Sequence, residues 1–317
     1  MINPSKRYNL LDIFTLSIFF ISLTYIFYSY SLDYSPLVVI ILIILYFKFF
    51  KKMEDSPSII HLCLLGSIIV FVSFFMVKFL SLSVYFIPAV GFSILITLLF
   101  DNVNLAIFFS FFISSLAVSF LDGDLSIGLG LFSGSLVATK LSYRVYRRFD
   151  LIKAGILGGL VEAIVIILVK GNKIYLYSQY LKILQYSLLS SFFSSVLVIG
   201  LLPIFEFIFG ALSNISLLEL FDFNRPLVKR LIIEAPGTYQ HSLVVANLSE
   251  AAANAIGANP LLARVGAYYH DIGKLSKPNY FIENLVGYKD VHKDLKPSLS
   301  KLIILNHVKE GIELAKK

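Results

Sequence analysis

Tyr269-His270-Asp271-Ile272-Gly273-Lys274 is the stretch that decides how this chain is read. A histidine followed directly by an aspartate sets an imidazole nitrogen beside a carboxylate. The carboxylate can reach two metal ions at once, and the imidazole can hold one of them. Gly273 lets the backbone turn after the pair, and Lys274 adds a cation close to where an anionic substrate would sit. Taken alone, the dipeptide also fits a helix end with a hydrogen-bonded histidine.

The surrounding sequence narrows the choice. Four of the five histidines, His241, His270, His292 and His307, lie in the last third of the chain. His241 sits in Gly237-Thr238-Tyr239-Gln240-His241-Ser242, and His307 in Asn306-His307-Val308-Lys309. The order His, His-Asp, His is the ligand order of HD-domain phosphohydrolases. The longer string from Glu234-Ala235-Pro236-Gly237 through His241-Ser242 to Gly266-Ala267-Tyr268-Tyr269-His270-Asp271 resembles the cytosolic HD domain of the seven-transmembrane HD family, the PgpH-type cyclic di-AMP phosphodiesterases. The resemblance runs from about the second hydrophobic segment to the last residue and is strongest from Leu217 onward.

Composition points to lipid. Hydrophobic residues make up 57% of the 317, with 29 Phe and 18 Tyr, and the mean hydropathy is +0.82. That excess cannot be buried in one soluble core, so most of the chain is expected in a bilayer. The formal net charge of +7 is assigned first to cytoplasmic loops, and no DNA or RNA partner is expected. The single cysteine, Cys63, lies in an apolar run and reads as a small packing residue.

Apolar runs at Leu10–Tyr30, Val38–Phe50, Ile60–Leu80, Tyr85–Phe100, Leu105–Leu121, Leu125–Leu141, Ile152–Val169 and Leu184–Phe209 give eight candidate spans, several close to the ~20 residues a spanning helix needs. The first lacks a signal-peptide cleavage pattern and reads as a retained anchor. Only serines mark the break between Leu80 and Val84. Lys48, Lys51 and Lys52 share one loop, and Lys140, Arg144, Arg147, Arg148 and Lys153 another. Eight spans with a cytoplasmic N-terminus put both loops, and everything after Phe209, inside. Asp33 and Asp122/Asp124 then fall outside, and Lys170 and Lys173 run against the rule. Pro203 is expected to kink the last span. Glu162, in the seventh, reads either as an intramembrane ligand or proton site or as a carboxylate that is paired with a neighbouring helix or snorkels.

After the spans the chain reads as helices. Leu217 to Leu220 and Leu227 to Glu234 form two short ones. Thr238 to Ile256 carries His241 in its first turn and stops at Gly257. Asn259-Pro260 opens a helix ending at His270-Asp271, and Pro297-Ser298 opens another that carries His307. The expected fold is therefore all-α, a polytopic membrane bundle over 1–210, juxtamembrane linker helices over 211–236, and the N-terminal part of a helical HD domain over 237–317.

The resemblance implies a membrane-anchored signalling hydrolase that opens a cyclic dinucleotide, cyclic di-AMP to linear pApA, with its HD domain in the cytoplasm. It leaves a homodimer open. Two metal ions about 3.5–4 Å apart stabilise in-line attack on a phosphodiester. Asp271 is placed to bridge them, His241 and His270 to hold one, and His307 the other. Imidazole with carboxylate suits divalent transition metals such as Mn or Fe. Asp271 and Lys274 are the expected catalytic residues, although Lys274 reads equally as a solvated lysine. His292, among Lys289, Asp290, Lys293 and Asp294, reads as a solvated surface histidine. Glu283 and Asn284 match a family string without an assignable role.

The chain departs from the family pattern in two places. The family carries a large extracytoplasmic domain where this chain has Ser31 to Pro36. It also carries a further His pair and a distal Asp beyond the position of Lys317, which implies a fragment or a truncated gene product. The competing reading is a non-catalytic membrane receptor or scaffold whose incomplete HD domain binds nucleotide. A different HD phosphohydrolase and, more distantly, a transporter stand behind it.

Overall fold

The structure is a computed structural model and describes residues 59–119, 124–171, 177–285 and 291–316. The runs at Leu10–Tyr30 and Val38–Phe50, the Lys48–Lys52 loop, Lys173 and the side chain of Cys63 lie outside the described residues. Among the described residues there is no strand. The chain is all-α and divides into two compact units, one ending at Ser213 and one beginning at Asn214.

In the first unit, α1 (Ile59–Phe74) continues through a π-helical turn at Phe75–Phe79. The serine-marked break follows, with Ser81 in the left-handed region (φ 52°) and a 3₁₀ turn at Val84–Phe86. Pro88 then delays the next helix, so α2 spans Ala89–Phe100 and not the whole apolar run. Its twelve residues rise about 18 Å, short of the ~30 Å hydrocarbon thickness. Every residue of α2 except Phe100 is buried, so it is an interior helix of the bundle. Asp101 ends it in the left-handed conformation that Asp tolerates.

Around it run α3 (Val103–Ser119), α4 (Leu125–Ser142), α5 (Arg148–Lys170) and α6 (Tyr177–Phe209). The last three are long and apolar enough to cross a membrane. Phe207, Leu168 and Phe71 are among the apolar side chains left on the outside, at 89%, 72% and 65% exposure, as a lipid-facing surface requires. The chain is a membrane protein. Buried hydroxyls close onto their own helices, as when Ser110 Oγ donates to the Ala106 carbonyl and Ser114 Oγ to the Ser110 carbonyl. Helices α4 and α5 meet backbone to backbone, because a Cβ on Gly134 would lie 2.6 Å from the Gly158 carbonyl oxygen. Helix α6 runs through Pro203 without ending.

Two cross-loop contacts bear on topology. Arg144 Nε lies 3.9 Å from Asp101 at one end of the bundle. Lys170 Nζ pairs with Asp124 at 3.2 Å and donates to the Tyr85 hydroxyl. The alternation of spans gives the same grouping, and the exceptional Lys170 is matched by an aspartate from a neighbouring loop. Glu162 neither snorkels nor pairs with a base. It is 1% exposed, accepts a hydrogen bond from Ser191 Oγ at 3.4 Å, and has no ion-pair partner among the described residues.

The second unit contains α7 (Asn214–Glu219), α8 (Pro226–Glu234), α9 (Pro236–Ala255), α10 (Pro260–Tyr269) and α11 (Pro297–Ala315), with 3₁₀ turns between the last two. Proline opens each of α8 to α11, where its missing N–H costs nothing. Gly257 stops α9 with φ +73°, and the Asn259 side chain caps α10 by accepting from Leu262 N at 3.1 Å. The short helices α7 and α8 contribute to this unit's core. Leu217 packs with Leu261 and Val265, and Val228 with Ala246 and Tyr268. Leu231 and Ala235 pack on Leu275, which anchors the 3₁₀ turn that follows His270-Asp271.

Candidate metal centre

Four sequence-predicted residues converge. His241 lies in the second turn of α9, His270 caps the C-terminus of α10, Asp271 follows it, and His307 lies within α11. Asp271 is buried, whereas His241 and His270 are exposed. Its Oδ2 lies 3.2 Å from His270 Nε2 and 3.8 Å from His241 Nε2, and its Oδ1 lies 3.5 Å from His307 Nε2. One carboxylate thus presents different oxygens to different imidazoles. His241, His270 and Asp271 each offer a ligand atom, all within 4.8 Å of one another, and form a group able to hold a metal ion.

The backbone sets the histidine tautomers. His270 Nδ1–H donates to the Ala267 carbonyl at 2.6 Å, and His307 Nδ1–H donates to the Ile304 carbonyl. A carbonyl only accepts, so in both rings Nδ1 carries a proton, which leaves Nε2, on the side of Asp271, as the nitrogen a metal would use. Hydrogen bonding of the far ring nitrogen is what orients a metal-ligating histidine. The donor set therefore suits a divalent metal.

Lys274 is not solvated. The 3₁₀ turn Ile272–Ser276 brings residue i+3 over residue i, and Lys274 Nζ pairs with Asp271 Oδ2 at 2.8 Å and with Glu283 Oε1 at 2.6 Å. Burial disfavours its charge, but the two carboxylates outweigh that and hold its pKa above the ordinary lysine value. Burial likewise works against ionised Glu283, yet Lys274, with help from a backbone N–H and Thr238, pulls its pKa below the usual range.

Glu283 and Asn284 are the residues whose role the sequence did not disclose. Asn284 Oδ1 accepts from Thr238 N at 2.9 Å, and its Nδ2 donates to Thr238 Oγ1 at 2.9 Å. Thr238 Oγ1 donates to Glu283 Oε1 at 3.1 Å. A loop thereby caps the otherwise unpartnered first turn of α9 and fixes the helix that carries His241. Gly237 makes this possible, because a Cβ there would fall 1.8 Å from the Glu283 carbonyl oxygen. The signal was the string Phe281-Ile282-Glu283-Asn284, whose side chains act on an element 45 residues away.

Two expectations change. Gly273 lies in the 3₁₀ turn without a positive φ, so the turn itself does not require a glycine. It admits the backbone of α11, as argued in the Discussion. His292 is half-buried, with Nε2 2.7 Å from the Tyr280 carbonyl and its ring packed edge-on to the Tyr280 ring. It helps hold the loop before α11 and is no solvated histidine.

Residues 31–213 match the family model for the 7TM receptor with intracellular HD hydrolase, which is more than half of the chain. The chain belongs to this 7TM-HD family. Residues 238–317 of the 7TM-HD protein match the HD domain, covering all four converging side chains. It is 57% identical over 125 residues to the cyclic-di-AMP phosphodiesterase PgpH of Bacillus subtilis (strain 168), covering 39% of this chain and 18% of that protein. To the cyclic-di-AMP phosphodiesterase PgpH of Listeria monocytogenes serotype 1/2a (strain 10403S) it is 36% identical over 273 residues, covering 84% of this chain and 38% of that one. The 7TM-HD protein thus spans well under half the length of these relatives. The crystal structure of the L. monocytogenes PgpH HD domain in complex with cyclic-di-AMP shares 53% identity over 30% of this chain and 44% of that chain, with a TM-score of 0.29.

Proposed function

We propose that this chain is a membrane-anchored, metal-dependent phosphodiesterase that hydrolyses a cyclic dinucleotide, cyclic di-AMP to linear pApA, on the cytoplasmic side of the membrane. The observation that carries the reading is Asp271, whose two oxygens face imidazoles from two different helices. The named activity of the two PgpH relatives supports the substrate.

His241 and His270 would hold one divalent ion, His307 the other, and Asp271 would bridge them, with Mn or Fe suited to imidazole and carboxylate donors. When bound, such a pair makes a water nucleophilic near neutral pH and neutralises charge on the phosphodiester. The chain's own residues prepare for this. The Ala267 and Ile304 carbonyls take the Nδ1 protons of His270 and His307 and so turn each Nε2 toward its own oxygen of Asp271. Lys274 steadies the Asp271 carboxylate and sets positive charge beside the place of an anionic phosphate. Glu283 holds Lys274 so that it does not swing away.

The test is the full chain in phospholipid nanodiscs, supplied with manganese or iron and cyclic di-AMP. Linear pApA should accumulate. Asp271→Ala should lose both ions and all turnover, because a bridging ligand serves both sites, while His241→Ala should mainly weaken one. Nucleotide binding without linear product would favour the non-catalytic receptor. Equal metal content in wild type and Asp271→Ala would refute the ligand assignment.

A further inference from the structure

Glu162 is a carboxylate in an apolar helix, and the metal centre makes no use of it. Along α5 it lies roughly 12 Å from Lys170 and 21 Å from Arg148, within the hydrocarbon depth. Its side chain is 1% exposed. Oε2 accepts from Ser191 Oγ of α6 at 3.4 Å, and the Ser187 hydroxyl borders the same carboxyl. Neither Oε1 nor Ser187 Oγ has a hydrogen-bond partner of good geometry.

The site is built by close helix approach. A Cβ on Gly159 would lie 2.8 Å from both the Ser187 carbonyl oxygen and Ser191 Cβ, so this glycine brings the serine face of α6 against the turn below Glu162. On the other flank, a Cβ on Gly134 would lie 3.0 Å from Glu162 Cβ. The carboxyl is therefore enclosed by α4 and α6, with hydroxyls on the α6 side and no Lys, Arg or His in ion-pair reach among the described residues.

An unneutralised carboxylate there would cost several kcal/mol. Its donors are all oxygens, which suits a hard cation. A divalent ion against one carboxylate would leave a net charge in the bilayer. A proton on Oε1 is the competing occupant, since Oε1–H would neutralise the carboxyl and could donate to Ser187 Oγ. A singly charged ion seated among Oε1, Ser187 Oγ and Ser191 Oγ serves all three.

We propose that Glu162, with the hydroxyls of Ser187 and Ser191, forms an intramembrane binding site for one alkali cation. The inference is independent of the phosphodiesterase reading. The test uses the full chain in phospholipid nanodiscs and dicyclohexylcarbodiimide, a reagent that modifies protonated carboxyls in apolar surroundings. Labelling of the Glu162 peptide is read by mass spectrometry, with Glu162→Gln as the blank. In choline chloride Glu162 should label. Sodium or potassium chloride at equal ionic strength should suppress labelling by roughly tenfold once the salt reaches about ten times its dissociation constant. Ser187→Ala and Ser191→Ala should each need more salt for the same protection, and Ser191→Thr, which keeps the hydroxyl, should not. Labelling that is equal in all three salts would show a proton site and overturn the proposal. So would a carboxyl that labels in none of them, or protection unaltered by both serine-to-alanine changes.

Discussion

The carbonyl oxygen of His307 occupies the space beside Gly273 where any other residue would place its side chain: a Cβ there would lie 1.8 Å from that oxygen. The glycine after the His-Asp pair is thus the point at which α11 crosses the 3₁₀ turn, and the contact fixes how far His307 stands from Asp271.

Gly273→Ala should therefore move α11. The obstacles are backbone atoms, with the Gly311 nitrogen at 2.5 Å as well, and neither can rotate away as a side chain would. The expected loss is at least the ~1–3 kcal/mol of an overpacked core. Thermal unfolding of the second unit should show it, and binding of the ion assigned to His307 should weaken before that assigned to His241 and His270. Wild-type melting and metal content in Gly273→Ala would show that the helix is free to shift.

Asn284→Ala removes the cap from α9. Loss of an N-terminal cap costs about 1 kcal/mol, and here it also strips the Thr238 hydroxyl of a donor. Stability should fall by at least that amount, and Asn284→Asp, which keeps the acceptor for Thr238 N, should recover most of it. Equal unfolding midpoints for Asn284→Ala and wild type would remove the loop's role in seating His241.

Much of this arrangement could be read from residue order, and the unread part has a common cause. His241, His270, Asp271 and His307 were legible because ligand type and order are local properties. Helix starts at Pro260 and Pro297 and the stop at Gly257 were legible because caps act within one turn. Glu283 and Asn284 were not, since their work is done on Thr238, 45 and 46 residues away. Gly273 was assigned the common task of a turn glycine, because close approach by a later helix leaves no local mark. The run Tyr85–Phe100 read as one unbroken helix, yet Pro88 delays the start of α2 to Ala89, and its near-complete burial seats it inside the bundle.

The Lys274–Glu283 pair gives the second unit an acid-sensitive element. Burial opposes the charge of Glu283, but the lysine more than compensates, so its folded-state pKa lies below the ordinary value of 4.5. A carboxyl depressed in the folded state binds its proton more readily when unfolded. Its contribution is complete above the ordinary pKa and disappears as the pH falls through the folded one. Glu283→Gln should be less stable than wild type at pH 7, with the gap closing through the carboxylate range. Urea unfolding of both at several pH values checks this, and a gap that widens toward acid would reverse the sign assigned to the pair.

Sidedness follows from pairs of charges at opposite ends of the bundle. Arg144 lies beside Asp101, and Lys170 pairs with Asp124. Each pair joins loops that are not consecutive, so each must lie wholly on one side of the membrane. Arg144, with Lys140, Arg147, Arg148 and Lys153, makes its end the strongly basic one, which the positive-inside rule assigns to the cytoplasm. Lys170, which runs against that rule, is offset by the aspartate it contacts. With Cys63 replaced by alanine, single cysteines at 101 and 147 should react with an impermeant maleimide only after the cells are opened, and one at 171 should react in intact cells. A reporter fused after Phe209 should read cytoplasmic, with the His-Asp centre on the same side as its proposed substrate. Labelling of 101 and 147 in intact cells would invert the bundle, and cyclic di-AMP made in the cytoplasm would then never reach Asp271.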